Sequence, residues 1–269
     1  MQARTTNGEV RKLVAPEVLP NLIEDSGRIA ADAELMRWVR ASFESCRGVY
    51  LKNNMPDSLA LMHFYTRRLF GGEGGEAPDW LRVSEPEEKL LSDSLERARL
   101  ERNGFAIARM RSLMNGIGLE APEKEGDSRA IADTLGELAT RGSAYGVAGL
   151  LYYGNALHME MGPVTDHQKL LEGELVRARE DPKRASLLAA LHCYMGGIGI
   201  ETTYTKADQT MVRKDIEKSM NTDFFHALQV IYHAREIQGN KLIKKRGLIL
   251  EYLCFRADCL AWEAWFEPG

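Results

Sequence analysis

The sequence predicts an all-α fold, a superhelical stack of antiparallel helix pairs (an α/α solenoid) with about 40 residues in each pair. Three observations predict it. Leu, Ala, Met, Arg and Glu dominate, and alternating runs of β-branched residues are nearly absent. Small residues recur at a fixed interval in two separate series. The pentapeptides Met-Asn-Gly-Ile-Gly at Met114–Gly118 and Met-Gly-Gly-Ile-Gly at Met195–Gly199 differ at one position and lie 81 residues apart, which is two intervals.

Taken in chain order, residues 1–25 are the one poorly patterned stretch and read as an N-terminal tail or extended segment. Residues 26–269 read as a single helical domain. Arg28–Cys46 carries Ile29, Ala33, Met36, Val39, Phe43 and Cys46 at spacings of three and four, one apolar helical stripe. Ser84-Glu-Pro-Glu87 has the capping-box spacing ahead of Leu90, Leu91 and Leu95. Asn103-Gly104 and Arg141-Gly142 interrupt helical patterns as short turns do. Asp181-Pro182 reads as an N-cap followed by proline at the first helical position. Leu242–Phe266 reads as a capping helix, whose Trp262, Trp265 and Phe266 suit an end folded back on the stack.

The first small-residue series is Ala108, Ala148, Ala189 and Ala227, at spacings of 40, 41 and 38. The second is Ala98, Ala139, Ala178 and Ser219, at spacings of 41, 39 and 41. Small residues at fixed places let neighbouring helices approach closely. The glycines of Gly116-Ile-Gly118 and Gly197-Ile-Gly199 fall where the first helix of each pair stops and the chain reverses.

This pattern resembles the Sel1-like repeat, a relative of the tetratricopeptide repeat. Ala185, Ala189, Tyr194, Gly197 and Gly199 fall on that family's positions. One unit earlier Ala144, Ala148 and Tyr153 match, but the loop reads Gly154-Asn-Ala156-Leu-His158. In the unit before that, Gly116 and Gly118 match and Leu113 replaces the tyrosine; the last unit keeps Ala227 and loses the Gly-x-Gly. The resemblance covers residues 57–240. It implies a non-enzymatic protein-binding scaffold whose first helices line the binding side. Family members include adaptors and regulators of bacterial signalling or secretion complexes. They also include immunity proteins that block antibacterial lipase or phospholipase toxins of the type VI secretion system. A cognate toxin of that kind is therefore the specific partner the resemblance suggests, with an adaptor role as the alternative and a hydrolase site in the groove third.

Composition and motifs narrow the chemistry. The net charge of −4 leaves no general footprint for nucleic acid. The longest apolar runs, Gly149–Tyr153 and Leu187–Leu191, fall far short of the about 20 residues of a membrane span. Gly71–Gly75 is followed by Glu76, Ala77 and Pro78, without the Lys and Ser/Thr of a phosphate loop. The Gly-Ile-Gly turns end helices, where the backbone dipole is negative and repels anions. No zinc, metalloprotease or nucleophile-elbow motif occurs. His226 with His233, and His158 with Asp166 and His167, read as surface or half-buried side chains, so no metal, cofactor or catalytic residue is expected. Cys46, Cys193, Cys254 and Cys259 admit three full disulfide pairings or four buried thiols. The polar start fits a periplasmic chain if Met1 replaces a removed signal peptide, and a cytoplasmic one otherwise.

The candidate partner contacts are polar or aromatic residues of the first helices that depart from the packing pattern: Arg109, Arg111, Tyr152, His192 and His233. Tyr153 and Tyr194 are expected to pack within the units. The basic cluster at Lys241–Arg246 reads as a solubilising face.

Overall fold

A computed structural model describes residues 33–70 and 79–219, together with His233. Those residues are helical, with no strand among them. Ala227, the cysteines at 254 and 259, the tail at 1–25, the glycine loop at 71–75, and the basic and aromatic C-terminal features lie outside the described residues. The described helices are α1 (Ala33–Lys52), α2 (Pro56–Phe70), α3 (Glu85–Leu100), α4 (Gly104–Gly116), α5 (Asp127–Thr140), α6 (Ala144–Ala156), α7 (Thr165–Glu180), α8 (Ala185–Gly197) and α9 (Lys206–Ser219). Short 3-10 turns precede α3 and α8. The stripe read over Arg28–Cys46 therefore appears as a helix whose described part runs on to Lys52.

The helices form two layers. In the inner layer, α2, α4, α6 and α8 pack side by side in that order. In the other, α3 lies against α2 and α4, α5 against α4 and α6, and α7 against α6 and α8, with α1 and α9 at the two ends. The composition of the helices explains this division. Helices α6 and α8 are apolar nearly all round, with nine buried residues each, as befits a layer covered by neighbours. Helices α3 and α7 bury one stripe, Leu91, Leu95 and Ala98 in the first and Leu171, Leu175 and Ala178 in the second. Ala108, Ala148 and Ala189 are fully buried. Cys46 and Cys193 are buried as well.

The helix ends follow local chemistry. The Glu87 side chain reaches back to the Ser84 N–H at 2.7 Å and closes the start of α3. Asn103 caps α4 by accepting from the Ala106 N–H at 3.1 Å. Asp181 accepts from the Lys183 N–H at 2.9 Å and opens the 3-10 turn that leads into α8. Helices α4, α6 and α8 end alike. Gly118, His158 and Gly199 each take a left-handed backbone, with φ of 82°, 56° and 84°. The next residue's N–H then bonds the carbonyl five places back: Leu119 to Met114, Met159 to Gly154 and Ile200 to Met195.

Two other glycines serve close approach. A Cβ on Gly116 would sit 2.5 Å from the Phe64 ring, and one on Gly197 would sit 2.5 Å from the Tyr152 ring. Each ring comes from the neighbouring helix of the inner layer. The glycine before Gly197 is different: a Cβ on Gly196 meets nothing within 4 Å. Gly196→Ala is therefore expected to raise stability by up to about 1 kcal/mol through helix propensity. Gly197→Val is expected to cost about 1–3 kcal/mol by overpacking, and much less in a Tyr152→Ala background. Urea unfolding of the four variants checks both; equal effects at 196 and 197 would contradict the packing.

Candidate functional site

Most polar side chains buried between the layers belong to one recurring arrangement. An arginine on an outer helix forks onto the carboxylate that starts the next outer helix. Arg47 of α1 donates through Nε to Glu87 at 2.7 Å and through Nη2 to its other oxygen. Arg99 of α3 grips Asp127 at 3.0 and 2.8 Å. Arg179 of α7 grips Asp208 at 3.1 and 3.0 Å. The same guanidinium also donates to a carbonyl five residues before the acid: Arg82, Pro122 and Thr203 respectively. The acid accepts a backbone N–H three residues before itself, from Ser84, Lys124 and Thr205 at 2.7, 3.1 and 2.9 Å. One fork thus ties an outer helix, a loop and the next helix's positive N-terminal end.

A third side chain reaches each acid from the inner layer. His63 donates through Nε2 to Glu87 at 2.9 Å. Arg111 Nη1 lies 3.7 Å from Asp127, and its Nε donates to the Ala121 carbonyl at 3.2 Å. His192 Nε2 lies 3.4 Å from Asp208, while its Nδ1 meets the Thr202 hydroxyl at 2.7 Å. Burial works against the charge of all three acids. Their donors prevail and hold the carboxyls below the ordinary range: His63 and Arg47 for Glu87, Arg99 and the Lys124 amide for Asp127, and Arg179 and the Thr205 amide for Asp208. Burial pushes His192 down to about 4 despite Asp208, so the ring is neutral near pH 7.

The junction between α5 and α7 departs from this plan. Thr140, Leu151 and His167 stand where the other junctions carry arginine, His or Arg, and acid. A cleft of about 660 Å³ lies there, lined by His158, Met159, Met161 and His167 among others.

The candidate contacts accordingly separate. Arg111 and His192 are 5% and 1% exposed and bonded inward. His233 is buried with its ring 5.2 Å from that of Tyr194, and burial lowers it to about 3. None of these three presents its polar atoms as an outer surface. Arg109 and Tyr152 are half-buried; Tyr152 lines an opening, and Arg109 lies one helical turn before Ser112 of the same lining. That opening is a cleft of about 270 Å³ on α2, α4 and α6, walled by Phe64 and Tyr152 and floored by Ser112 and Gly116. The small Ser112, set between two aromatic walls, leaves the room. Behind it Tyr153 and Tyr194 are buried, their hydroxyls 3.3 Å apart. Exposed Tyr145 stacks near Tyr194 at 5.8 Å, and Phe105 meets Tyr153 edge-on at 6.1 Å. Phe64, Ser112 and Tyr145 were not candidates from the sequence. Their spacing within successive inner helices is the signal that points to them, since Phe64, Ser112 and Tyr152 each lie four residues after the buried alanines Ala60, Ala108 and Ala148.

No protein-family model, curated protein or solved structure matches the chain. Among the described residues, no group of three His, Cys, Asp or Glu side chains is placed to hold a metal ion, and no helix is long and apolar enough to cross a membrane.

The buried groups set an acid sensitivity. His192 is depressed from its ordinary value of 6.5 to about 4. The unfolded chain therefore takes up a proton first, and stability falls as pH drops from 6.5 towards 4. The three carboxyls, also depressed, contribute stability above their unfolded values that is lost at lower pH still. His192→Leu, which installs the residue α6 carries at the corresponding place, is expected to lessen the upper slope, with His233, lowered by burial to about 3, supplying the remainder, and to leave the lower part. Urea midpoints from pH 7 to pH 3 check this; an unchanged upper slope would contradict the burial of His192.

Proposed function

We propose that the chain is a non-enzymatic protein-binding scaffold, a Sel1-like α/α solenoid of about 40-residue helix pairs that takes its partner on the inner-helix layer. The observation that carries the reading is the aromatic face on α2, α4 and α6. Phe64 and Tyr152 line a recess there, and half-buried Phe105, exposed Tyr145 and half-buried Arg109 belong to the same helices. Aromatic and arginine side chains in partly desolvated recesses dominate the energetics of protein interfaces. The repeat reading is supported by the matched helix ends at Gly118, His158 and Gly199 and by the three forks. The outer helices offer a contrasting surface. The exposed faces of α3, α5 and α7 are charged, with i,i+4 pairs such as Arg129 with Asp133 and Glu137 with Arg141. Such solvated pairs contribute little and favour solubility.

In the toxin-immunity form of this reading, the inner face covers the entrance of a cognate lipase or phospholipase and performs no chemistry itself. In the adaptor form the same face holds a component of a bacterial complex. Site-specific photocrosslinking in the native host tests the shared claim. A benzophenone at position 145 or 112 is expected to capture a partner, and one at position 133 on the outer face is expected to capture none. Mass spectrometry of the adduct assigns it to a secreted hydrolase or to a complex component. Capture from position 133 with none from 145 or 112 would place the interface on the outer layer and contradict the proposal.

A further inference from the structure

Arg109 differs from the other covered arginines. Every other described arginine that is buried or half-buried donates a hydrogen bond to a carboxylate or a backbone carbonyl. Arg109 donates none among the described residues. Its one ion pair there is with Asp57, at 3.6 Å, and that carboxylate is 61% exposed. The Arg109 side chain is itself only 25% exposed. Tyr65, Tyr153 and Tyr194 surround it electrostatically, but burial pushes each phenol up, so none supplies a counter-charge. A guanidinium held largely out of water, with so loose a partner, retains most of its capacity to grip a carboxylate with two parallel hydrogen bonds.

The adjacent cleft supplies the second half of the specificity. Its volume of about 270 Å³ lies just below the range of small-molecule sites, about 300–1,000 Å³, and suits one large side chain. Among the described residues its lining contains no Asp, Glu, Lys or Arg, and His233 within it is neutral. Arg109 precedes Ser112 by three residues and Gly116 by seven on α4. At about 1.5 Å of rise per residue, the charge stands about 5–10 Å along the helix from the recess.

The geometry points to a partner segment that sets one aromatic or large aliphatic side chain in the cleft and one carboxylate on Arg109. This rests on the reading of the inner face as a protein-binding surface and adds the chemistry of what binds. In an extended segment at about 3.3 Å per residue, the acid stands one to three positions from the apolar anchor. A basic or purely apolar segment leaves the guanidinium without its counter-charge and is disfavoured.

Random dodecapeptides displayed on phage and selected on the full chain test the inference. The enriched pool is expected to pair a large apolar residue with Asp or Glu within three positions. Synthetic copies of the enriched peptides, followed by fluorescence anisotropy, are expected to lose about tenfold or more in affinity with Arg109→Gln. They are expected to recover part of it with Arg109→Lys, and to lose binding with Ser112→Trp, which fills the cleft. Circular dichroism and Tm show that each variant is folded. Should Ser112→Trp prove unfolded, Ser112→Leu serves instead. Enrichment of basic or acid-free peptides, binding indifferent to Arg109→Gln, or no enrichment at all would overturn the inference. The crosslinking experiment decides the scaffold reading separately, so a partner captured at position 145 by a segment without an acid would sink this inference alone.

Discussion

The forked contact between an outer-layer arginine and the acid that opens the next outer helix is the constraint on which the two-layer packing depends. A buried carboxylate is costly, and Glu87, Asp127 and Asp208 are 0%, 2% and 3% exposed. Each is affordable only because two guanidinium N–H groups, a backbone N–H and a helix N-terminus converge on it. The geometry is demanding, since the guanidinium must also meet a carbonyl five residues ahead of the acid. A helix shifted by one residue would break every one of these bonds together. The fork therefore fixes α3, α5 and α9 along the outer helices that precede them, where apolar stripes of Leu and Ala alone would tolerate sliding; α7, whose junction with α5 lacks the fork, is held there by apolar contact. It also draws in Arg111 and His192, whose Nη1 and Nε2 stand 3.7 and 3.4 Å from the acids without forming a hydrogen bond to them.

With the outer layer fixed in this way, the inner layer is free to vary on its opposite side. The variation follows side-chain size. Phe64 packs over Gly116 and Tyr152 packs over Gly197, a ring matched to a bare backbone in both cases. At the place between them, α4 carries Ser112 and α6 carries Ala156, small against small. The large, small, large order along Phe64, Ser112 and Tyr152 creates the recess without any strain in the helices that line it. Arg109 stands one turn before Ser112 on the same helix and gives the recess a charged margin. Scaffold and site are thus built from different faces of the same helices.

Much of the all-helical character was legible from composition, and several boundaries were legible from local chemistry. The Ser84 to Glu87 spacing and the break at Asn103-Gly104 act within four residues, which is the range sequence pattern reads well. The alanines Ala108, Ala148 and Ala189 were also legible, because only small residues fit where helices touch. The sidedness of the polar residues was not. Arg111 and His192 look like surface groups on a helix, and the acids that bury them lie on the following helix, 16 residues further on. The forks span 28 residues for Arg99 with Asp127 and 29 for Arg179 with Asp208, beyond any local periodicity. Their trace in the sequence is the Arg-Ala-Arg triplet, at Arg97–Arg99 and again at Arg177–Arg179, ahead of an acid that follows a loop. The α6 ending was hidden for another reason. His158 adopts the left-handed backbone that Gly118 and Gly199 take, so the turn persists after its glycine is gone.

A double-mutant cycle on Arg99 and Asp127 tests the central claim most directly. Urea unfolding of Arg99→Gln, Asp127→Asn and the double variant, all at pH 7, yields their coupling energy. The two-layer account predicts that each single variant is clearly destabilised and that the pair couples by about 1–3 kcal/mol, since the bond is forked and its acid is out of water. Additive effects, with coupling within about 0.3–0.5 kcal/mol of zero as for independent sites, would contradict it and leave the outer helices held by apolar contact alone.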